Sequence, residues 1–262
     1  MKTKKAEAKE KVEEKQFCAF LNEKAKKEQF KGFINFFYIY ELKKPTIKEI
    51  KEIKGNSLVL IGENILKNIE KGKAFLYKLY EEKKKNQNFL IAIKGISYEK
   101  DKFYLSLTKN KIALIDIFFP NVYGKESMHF TESGLNHVLL NIMKEKIIAL
   151  GINLHELIEK IKKNELYYLS KVIQNVSWAR KKSVNLCLCQ FSNRQELYNA
   201  RDTFHFLLSF CSTQQALNAL TFAKLKIELN KEIFKHKIEN MFVYKKKEEI
   251  KLLELLKALG KI

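Results

Sequence analysis

The stretch FLIAIKGISYEKDKFYLSLTKNKIALIDIFF, residues 89–119, gives the clearest fold signal in this sequence. It contains three apolar runs rich in β-branched and aromatic residues, which are residues 89–96, 103–107 and 112–119. Turn-like segments at residues 99–101 and 109–110 separate these runs, and Pro120 ends the third. Short strands with tight connections are typical of an antiparallel meander. We therefore predict a small antiparallel sheet here.

Helical spacing and further strand candidates surround this stretch. Apolar residues recur every three to four positions over the predicted helices, at residues 63–85, 131–150, 154–163 and 165–182, and from Asn193 to about residue 240. Buried strands are predicted at residues 57–61 and 184–191, whereas residues 32–42 fit either a helix or a strand. Residues 2–30 mix lysine and glutamate, which favours a helix that is frayed at its start.

These elements predict an α+β fold, with a small antiparallel β meander flanked by helices on both sides in sequence and a helix-rich C-terminal half. Residues 1–120 would form the N-terminal helices and the sheet, and residues 121–262 would form a mainly helical part. A single compact domain made of both parts fits the sequence equally well.

The charge of the chain is strongly basic and partly local. Fifty lysines and arginines against 30 acidic residues give a net charge of +20, which would attract nucleic acid or another polyanion. Because 47 of the basic residues are lysines, general lysine enrichment accounts for part of this charge. Residues 160–201, however, carry +7 within 42 positions. This excess marks one region of the chain as a candidate binding surface.

All three arginines lie in that region, at positions 180, 194 and 201, although lysine dominates elsewhere. Arginine binds phosphates with two parallel hydrogen bonds and stacks on aromatic rings, which lysine cannot do. If residues 194–212 form one helix, Arg194, Arg201 and His205 fall within about 40° of one another, with Tyr198 on the same stripe. The sequence thus predicts an ordered line of basic and aromatic side chains.

This pattern predicts a nucleic-acid-binding surface for RNA or single-stranded DNA, where cations bind phosphates and aromatic rings stack on bases. Its candidate residues are Trp178, Arg180, Lys181, Lys182, Arg194, Tyr198 and Arg201. The competing interpretation is an ordinary solvated face, in which Arg201 pairs with Glu196 or Asp202.

Two histidines extend the hypothesis to a metal-independent ribonuclease. His205 lies on the predicted stripe, and His137 follows a polar segment that contains His129, Thr131 and Ser133. An acid and a base near cations could cleave a phosphodiester, so His137 and His205 are the candidate catalytic residues. Helix capping explains Thr131 and Ser133 without any chemistry.

No cofactor or metal is predicted. The sequence has no GxGxxG, GxxxxGK[ST], HExxH or GxSxG motif, which argues against nucleotide-dependent enzymes and standard hydrolases. Cys187 and Cys189 could ligate zinc with Cys211 and His205, but a CxC within an apolar run favours core packing.

The remaining expectations concern compartment and partners. Four cysteines do not form a disulfide framework, and no apolar run is long enough to span a membrane, so we expect a cytoplasmic protein without membrane contact. The alternative function is a protein-interaction or assembly subunit that docks through its terminal amphipathic helices. The lysine- and glutamate-rich N-terminal segment and the leucine-rich residues 252–259 suit such a role.

Overall fold

The computed structural model describes residues 18–21, 33, 35–42, 44, 55–122, 133–189, 199–235, 254–255 and 257–259. Within these residues the chain adopts an α/β fold whose main sheet is parallel throughout and nearly closed. The described strands are β1 (Cys18–Leu21), β2 (Asn35–Leu42), β3 (Ser57–Ile61), β4 (Phe89–Lys94), β5 (Thr108–Lys109), β6 (Ile112–Ala113), β7 (Ile117–Phe119), β8 (Ala149–Asn153) and β9 (Leu186–Cys189).

Eight helices accompany the strands among the described residues. They are α1 (Glu63–Leu66), α2 (Ile69–Lys85), α3 (Tyr98–Ser106), α4 (His137–Lys146), α5 (Leu154–Lys162), α6 (Leu166–Lys182), α7 (Ala200–Leu208) and α8 (Thr213–Lys235). None of these helices is long and apolar enough to cross a membrane.

The seven strands of the sheet follow one another in space in chain order, as β1-β2-β3-β4-β7-β8-β9. Helices connect β3 to β4, β4 to β7, β7 to β8 and β8 to β9, as parallel neighbours require. The short hairpin β5-β6 is antiparallel and separate from the sheet. A sheet without any reversal of strand order has the arrangement of a (β/α) barrel.

The predicted antiparallel meander is therefore wrong. Residues 103–106 belong to helix α3, with Tyr104 and Leu105 on its buried face, and Leu107 is its extended C-cap. A five-residue apolar run does not distinguish a buried helix segment from a strand. The third run divides into β6 and β7, and β7 pairs in parallel with both β4 and β8. Among the strands that the structure describes, only the hairpin β5-β6, with two residues in each strand, is antiparallel.

Other element predictions had mixed outcomes. Strand β3 and helices α5 and α6 lie where the sequence predicts them, and residues 35–42 form a strand. The helix predicted to Leu150 instead ends at Lys146, because Ile147 is left-handed with φ 54°, and residues 149–153 form β8. In the predicted N-terminal helix, residues 18–21 form strand β1.

Both faces of several strands are buried, which explains their near-continuous apolar sequences, whereas β2 is mostly half-buried. Every residue of β3, β7 and β9 is buried. Alternate strand residues such as Val59 and Ile91 pack with helices α1 to α7, whereas Leu58 and Leu90 face the opposite core with residues of α8.

Helix α8 lies across the edge of the sheet where the strands begin. Lys226 Nζ donates to the carbonyl of Ile147, just before β8, over 3.0 Å, and Asn230 Nδ2 donates to Asp116, just before β7, over 3.4 Å. Asp116 also accepts from the Lys83 ammonium over 2.6 Å and from the Ile91 amide. This buried polar cluster fixes α8 at the edge where the strands begin. The carboxyl ends of the strands lie at the opposite edge, where (β/α) barrels place their functional sites.

Candidate functional site

Helix α6 presents a basic face. Its 17 residues include four basic side chains, Lys171, Arg180, Lys181 and Lys182, and no acidic residue. Each of the other seven described helices contains at least one acidic residue. The ion pairs found among the described residues involve none of these four side chains.

Aromatic rings lie between these cations. Tyr167, Lys171, Trp178 and Lys182 fall within about 60° of one another around the helix axis. Tyr167 is 38% exposed, and the Lys171 ammonium lies 5.0 Å from the centre of its ring. Trp178 is half-buried against the core, whereas Arg180 and Lys181 are exposed. Arg180 projects from another side of the helix, about 140–180° from the four residues named first. We use the name α6 basic face for the basic and aromatic side chains of the helix as a group, which are Tyr167, Lys171, Trp178, Arg180, Lys181 and Lys182.

The second predicted group of residues is only partly described. Arg194 and Tyr198 lie outside the described residues. Asn199 is an extended N-cap with ψ 127°, its Oδ1 accepts from the Arg201 amide, and α7 begins at Ala200. Because Asn199 is extended and α7 covers only Ala200–Leu208, residues 194–212 do not form one continuous helix. Arg201 and His205 are exposed and one turn apart.

The two candidate catalytic histidines lie on helices with different neighbours. His137 is the first residue of α4, exposed, and follows the N-cap Asn136, whose Oδ1 accepts from two backbone amides. Helix α4 contacts α3, α6 and β8, whereas α7 with His205 contacts α8. The predicted cap Thr131 lies outside the described residues. His137 begins the helix that follows β7, at the carboxyl edge, whereas Arg180 to Lys182 lead into β9 at the other edge.

The CxC pair lies in the sheet interior. Cys187 and Cys189 are fully buried, with their sulfur atoms 3.9 Å apart. Burial raises the pKa of the Cys189 thiol well above its usual value and raises that of Cys211 to about 12. Thiolates are the form that binds metals, so these environments favour packing. The described residues hold no group of three or more metal-ligating side chains.

A pocket that the sequence did not reveal lies at the carboxyl edge of β7 and β8, between these strands and helix α6. Its volume is about 40 Å³, and its polar lining residues are Asn153, Glu156, Tyr168 and Asn175. Asn175 is only 3% exposed. Its Nδ2 donates to the carbonyl of Ser133 over 2.7 Å, while its Oδ1 has no hydrogen-bond partner among the described residues.

Asp101 is a second polar residue at this edge that sequence reasoning missed. It is buried beyond the end of β4, and its Oδ1 accepts from the Ile96 amide over 2.9 Å. Burial raises the pKa of this carboxyl to about 6, although hydrogen bonds from the amides of Ile96 and Ser97 lower it. The sequence predicted a turn at residues 99–101, which gave no reason to expect a buried carboxyl. The burial of Asp101, which marks it as a candidate functional residue, follows from its place in helix α3.

Comparison with known proteins finds a similarity in structure but no match by sequence. No family model and no curated protein matches this sequence. Among solved structures, the chain is similar to a chain in the cryo-EM structure of archaeal ribonuclease P with mature tRNA. The two share 18% sequence identity with a TM-score of 0.60, over 88% of this chain and 99% of that chain. At this identity the likeness shows a shared fold.

Proposed function

We propose that this protein binds RNA through the α6 basic face. The observation that carries the proposal is that α6, alone among the described helices, combines four cations with no acidic residue. Each of the other seven described helices contains at least one acidic residue, which weakens the net attraction of its cations for phosphate. A face without acids adds the attraction of every cation to a polyanion.

The aromatic residues favour RNA over a purely electrostatic contact. Tyr167 is exposed enough to stack on an unpaired base, and Trp178 borders the cations of the last turn. Stacking on tyrosine or tryptophan, together with phosphate contacts, is how single-stranded segments of RNA are bound. The helix is about 25 Å long, which spans several nucleotides of an extended strand. The fold is also that of a chain solved in a ribonuclease P structure with tRNA, which supports RNA as the ligand.

A structural explanation competes with this proposal. Cations in the last turn of a helix stabilise its negative end, so Arg180, Lys181 and Lys182 could serve the helix alone. Helix α2 offers the comparison, since it also has 17 residues and ends in lysines, but it contains Glu81 and Glu82 in its last turns. Both helices carry three basic residues in the last turn and differ in acidic content, which makes α2 the control for an effect of those cations on the helix alone.

The test compares two triple variants with equal net charge. Arg180→Ala, Lys181→Ala and Lys182→Ala remove three cations from α6, and Lys78→Ala, Lys84→Ala and Lys85→Ala remove three exposed cations from α2. Binding of labelled single-stranded RNA is measured across a salt series. We expect the α6 variant to lose affinity at least tenfold and its salt slope to flatten by about 2, because three phosphate contacts are lost.

The α2 variant should retain nearly wild-type binding. Equal losses in the two variants would mean that RNA responds to total charge rather than to the α6 basic face. Single-stranded DNA and duplex RNA in the same assay establish the preferred strand. Arg201→Ala, measured beside them, tests whether the start of α7 extends the binding surface.

The ribonuclease hypothesis requires His137 and His205 to reach the same phosphodiester. Their helices, however, contact different neighbours. We therefore base the proposal on binding and treat cleavage as its extension. The extension predicts that wild type shortens the labelled RNA while His137→Ala and His205→Ala do not. RNA that stays intact with the wild-type protein contradicts it.

A protein-docking function is the second candidate, because the same helix also exposes aliphatic side chains. Leu166 is 55% exposed and Ile173 is 41% exposed. The C-terminal leucines offer less, since Leu255 and Leu259 are buried within the chain. Leu166→Ser with Ile173→Ser should leave RNA affinity unchanged if these residues serve a protein partner.

A further inference from the structure

Asn175, which lines the pocket at the carboxyl edge of β7 and β8, carries a buried polar atom without a hydrogen bond among the described residues. Asn175 lies on the buried side of α6, beside Val172 and Val176 at helical spacing. Its Nδ2 is held by the Ser133 carbonyl, which fixes the side-chain amide and leaves Oδ1 as the atom without a described partner. A buried acceptor left without a hydrogen bond costs about 1–3 kcal/mol, so such atoms call for an explanation.

Two of the other polar residues of the pocket, Asn153 and Glu156, have a structural role, and Glu156 also contributes its charge. Asn153 caps α5 by accepting from the Glu156 amide, and its Nδ2 donates to the Glu156 carboxylate over 3.0 Å. This capping arrangement accounts for Asn153 and Glu156 and leaves Asn175 unexplained. Glu156 is the one ionisable acid in the described lining, and no lysine or arginine lines the pocket. In a chain of net charge +20, this wall is locally acidic.

The rest of the wall is mostly apolar, being formed by side chains of β7, β8 and α6. A volume of about 40 Å³ admits a few water-sized groups. That space accommodates the end of an alkylamine and is too small for a nucleobase. An apolar wall with two acceptors suits a methylene stem that carries an N–H-rich head, since each part then meets a matching surface.

We propose that this pocket binds a primary alkylammonium group, with its head donating to Asn175 Oδ1 and to the Glu156 carboxylate. The methylene next to the nitrogen contacts the apolar wall. The position agrees with the rule that barrels of parallel strands place their ligand sites at the carboxyl edge. The site is independent of the α6 basic face, because Asn175 lies on the buried side of that helix.

The ammonium group could come from a small diamine or from a lysine side chain, and the experiment separates these sources. Putrescine and Nα-acetyl-lysine amide are titrated into the full chain by calorimetry, and n-butanol serves as the neutral probe of similar length. We expect one or both amines to bind and to raise the unfolding temperature, whereas n-butanol should bind at least tenfold more weakly. Whichever amine binds more tightly identifies the source.

Two variants test the contacts. Asn175→Leu keeps the approximate side-chain shape and removes the acceptor, and Glu156→Gln removes the charge while keeping an acceptor for Asn153. Both should weaken amine binding at least tenfold, whereas Glu159→Gln, one turn away and paired with Lys162, should not change it. Glu156→Gln keeps the capping contact with Asn153, so we expect it to fold like the wild type, which circular dichroism checks. This variant therefore tests the site even if Asn175→Leu does not fold.

The proposal is wrong if neither amine binds at millimolar concentration, since water then fills the pocket. It is also wrong if both variants bind as tightly as wild type, or if n-butanol competes equally with the amines. RNA affinity in the same variants is expected to stay unchanged. Failure of the amine site and failure of RNA binding are thus separate results.

Discussion

At the scale of single residues, Asp101 couples folding to pH. Burial raises its pKa from 3.8 to about 6 in the folded chain, so the native state holds this proton more tightly than the unfolded chain does. The folded state is then favoured as pH falls from above 6 towards 4, and ionisation of the buried carboxyl opposes folding above that range. The shift corresponds to about 3 kcal/mol at neutral pH.

Asp101→Asn should therefore abolish this pH dependence. We expect the free energy of unfolding, measured by urea titration, to fall between pH 4 and pH 7 by about 2 kcal/mol more in wild type than in the variant. Glu99→Gln is the control, because Glu99 is an exposed acid on the same helix. If wild type and Asp101→Asn keep a constant difference across this range, Asp101 does not titrate as described.

Single residues also show why the sequence predicted only part of the candidate site. Arg180, Lys181 and Lys182, but not Lys171, were predicted as candidate binding residues because charge and arginine usage are visible without a fold. Asn175 was not, although it stands between valines at helical spacing, where a polar residue is unusual. Its meaning depends on Ser133, which is 42 positions away in sequence, and no local pattern reveals such a contact.

At the scale of elements, α6 and α3 share the same surface motif in different surroundings. Each has an exposed tyrosine followed four positions later by a lysine over its ring, Tyr167 with Lys171 and Tyr98 with Lys102. Helix α6 adds three cations and no acid, whereas α3 contains Glu99 and Asp101. The tyrosine–lysine pair occurs in both helices, so the pair alone would not explain RNA binding. We expect binding at the helix that adds further cations and no acid.

Tyr167→Ala should consequently weaken binding to single-stranded RNA by about 1–3 kcal/mol, the loss expected when one stacked base is released. Tyr98→Ala removes an equally exposed ring from α3 and should leave the affinity unchanged. Fluorescence anisotropy at fixed salt measures both. Similar losses from the two tyrosines, or none from Tyr167, would contradict stacking on the α6 basic face.

Helices and strands with a strong local sequence signal could be predicted, whereas those that depend on contacts with distant parts of the chain could not. Helix α5 was predictable from the Asn153 cap, and β3 from the four consecutive apolar residues 58–61 that follow Ser57. Strand β8 was hidden because its apolar residues continue the pattern of α4, and only the left-handed Ile147 separates them. Helix α3 was read as a strand because its buried face coincides with a short apolar run.

At the scale of the whole molecule, the parallel sheet joins the two halves of the chain. Strand β7, which ends at Phe119, pairs with β4 on one side and with β8 on the other. Helix α8 from the C-terminal half contacts β1, β4 and β9 and holds Asp116 through Asn230. Asp116 is 1% exposed and lies within hydrogen-bonding distance of Lys83, so the first half contains a buried ion pair that the second half covers.

These contacts predict that a chain divided after Pro120 does not fold as two domains. Residues 1–120 would expose the β8-facing edge of β7 and lose the α8 cover from Lys83 and Asp116, and exposing apolar surface and a buried ion pair in this way is strongly destabilising. We expect each fragment alone to lack a cooperative thermal transition by circular dichroism. Mixing residues 1–120 with residues 121–262 should restore one, because complementary fragments can rebuild the β7–β8 pairing. A cooperative transition in either isolated fragment would instead establish two independent domains that meet near residue 120, since the sheet would then not need both halves to be stable.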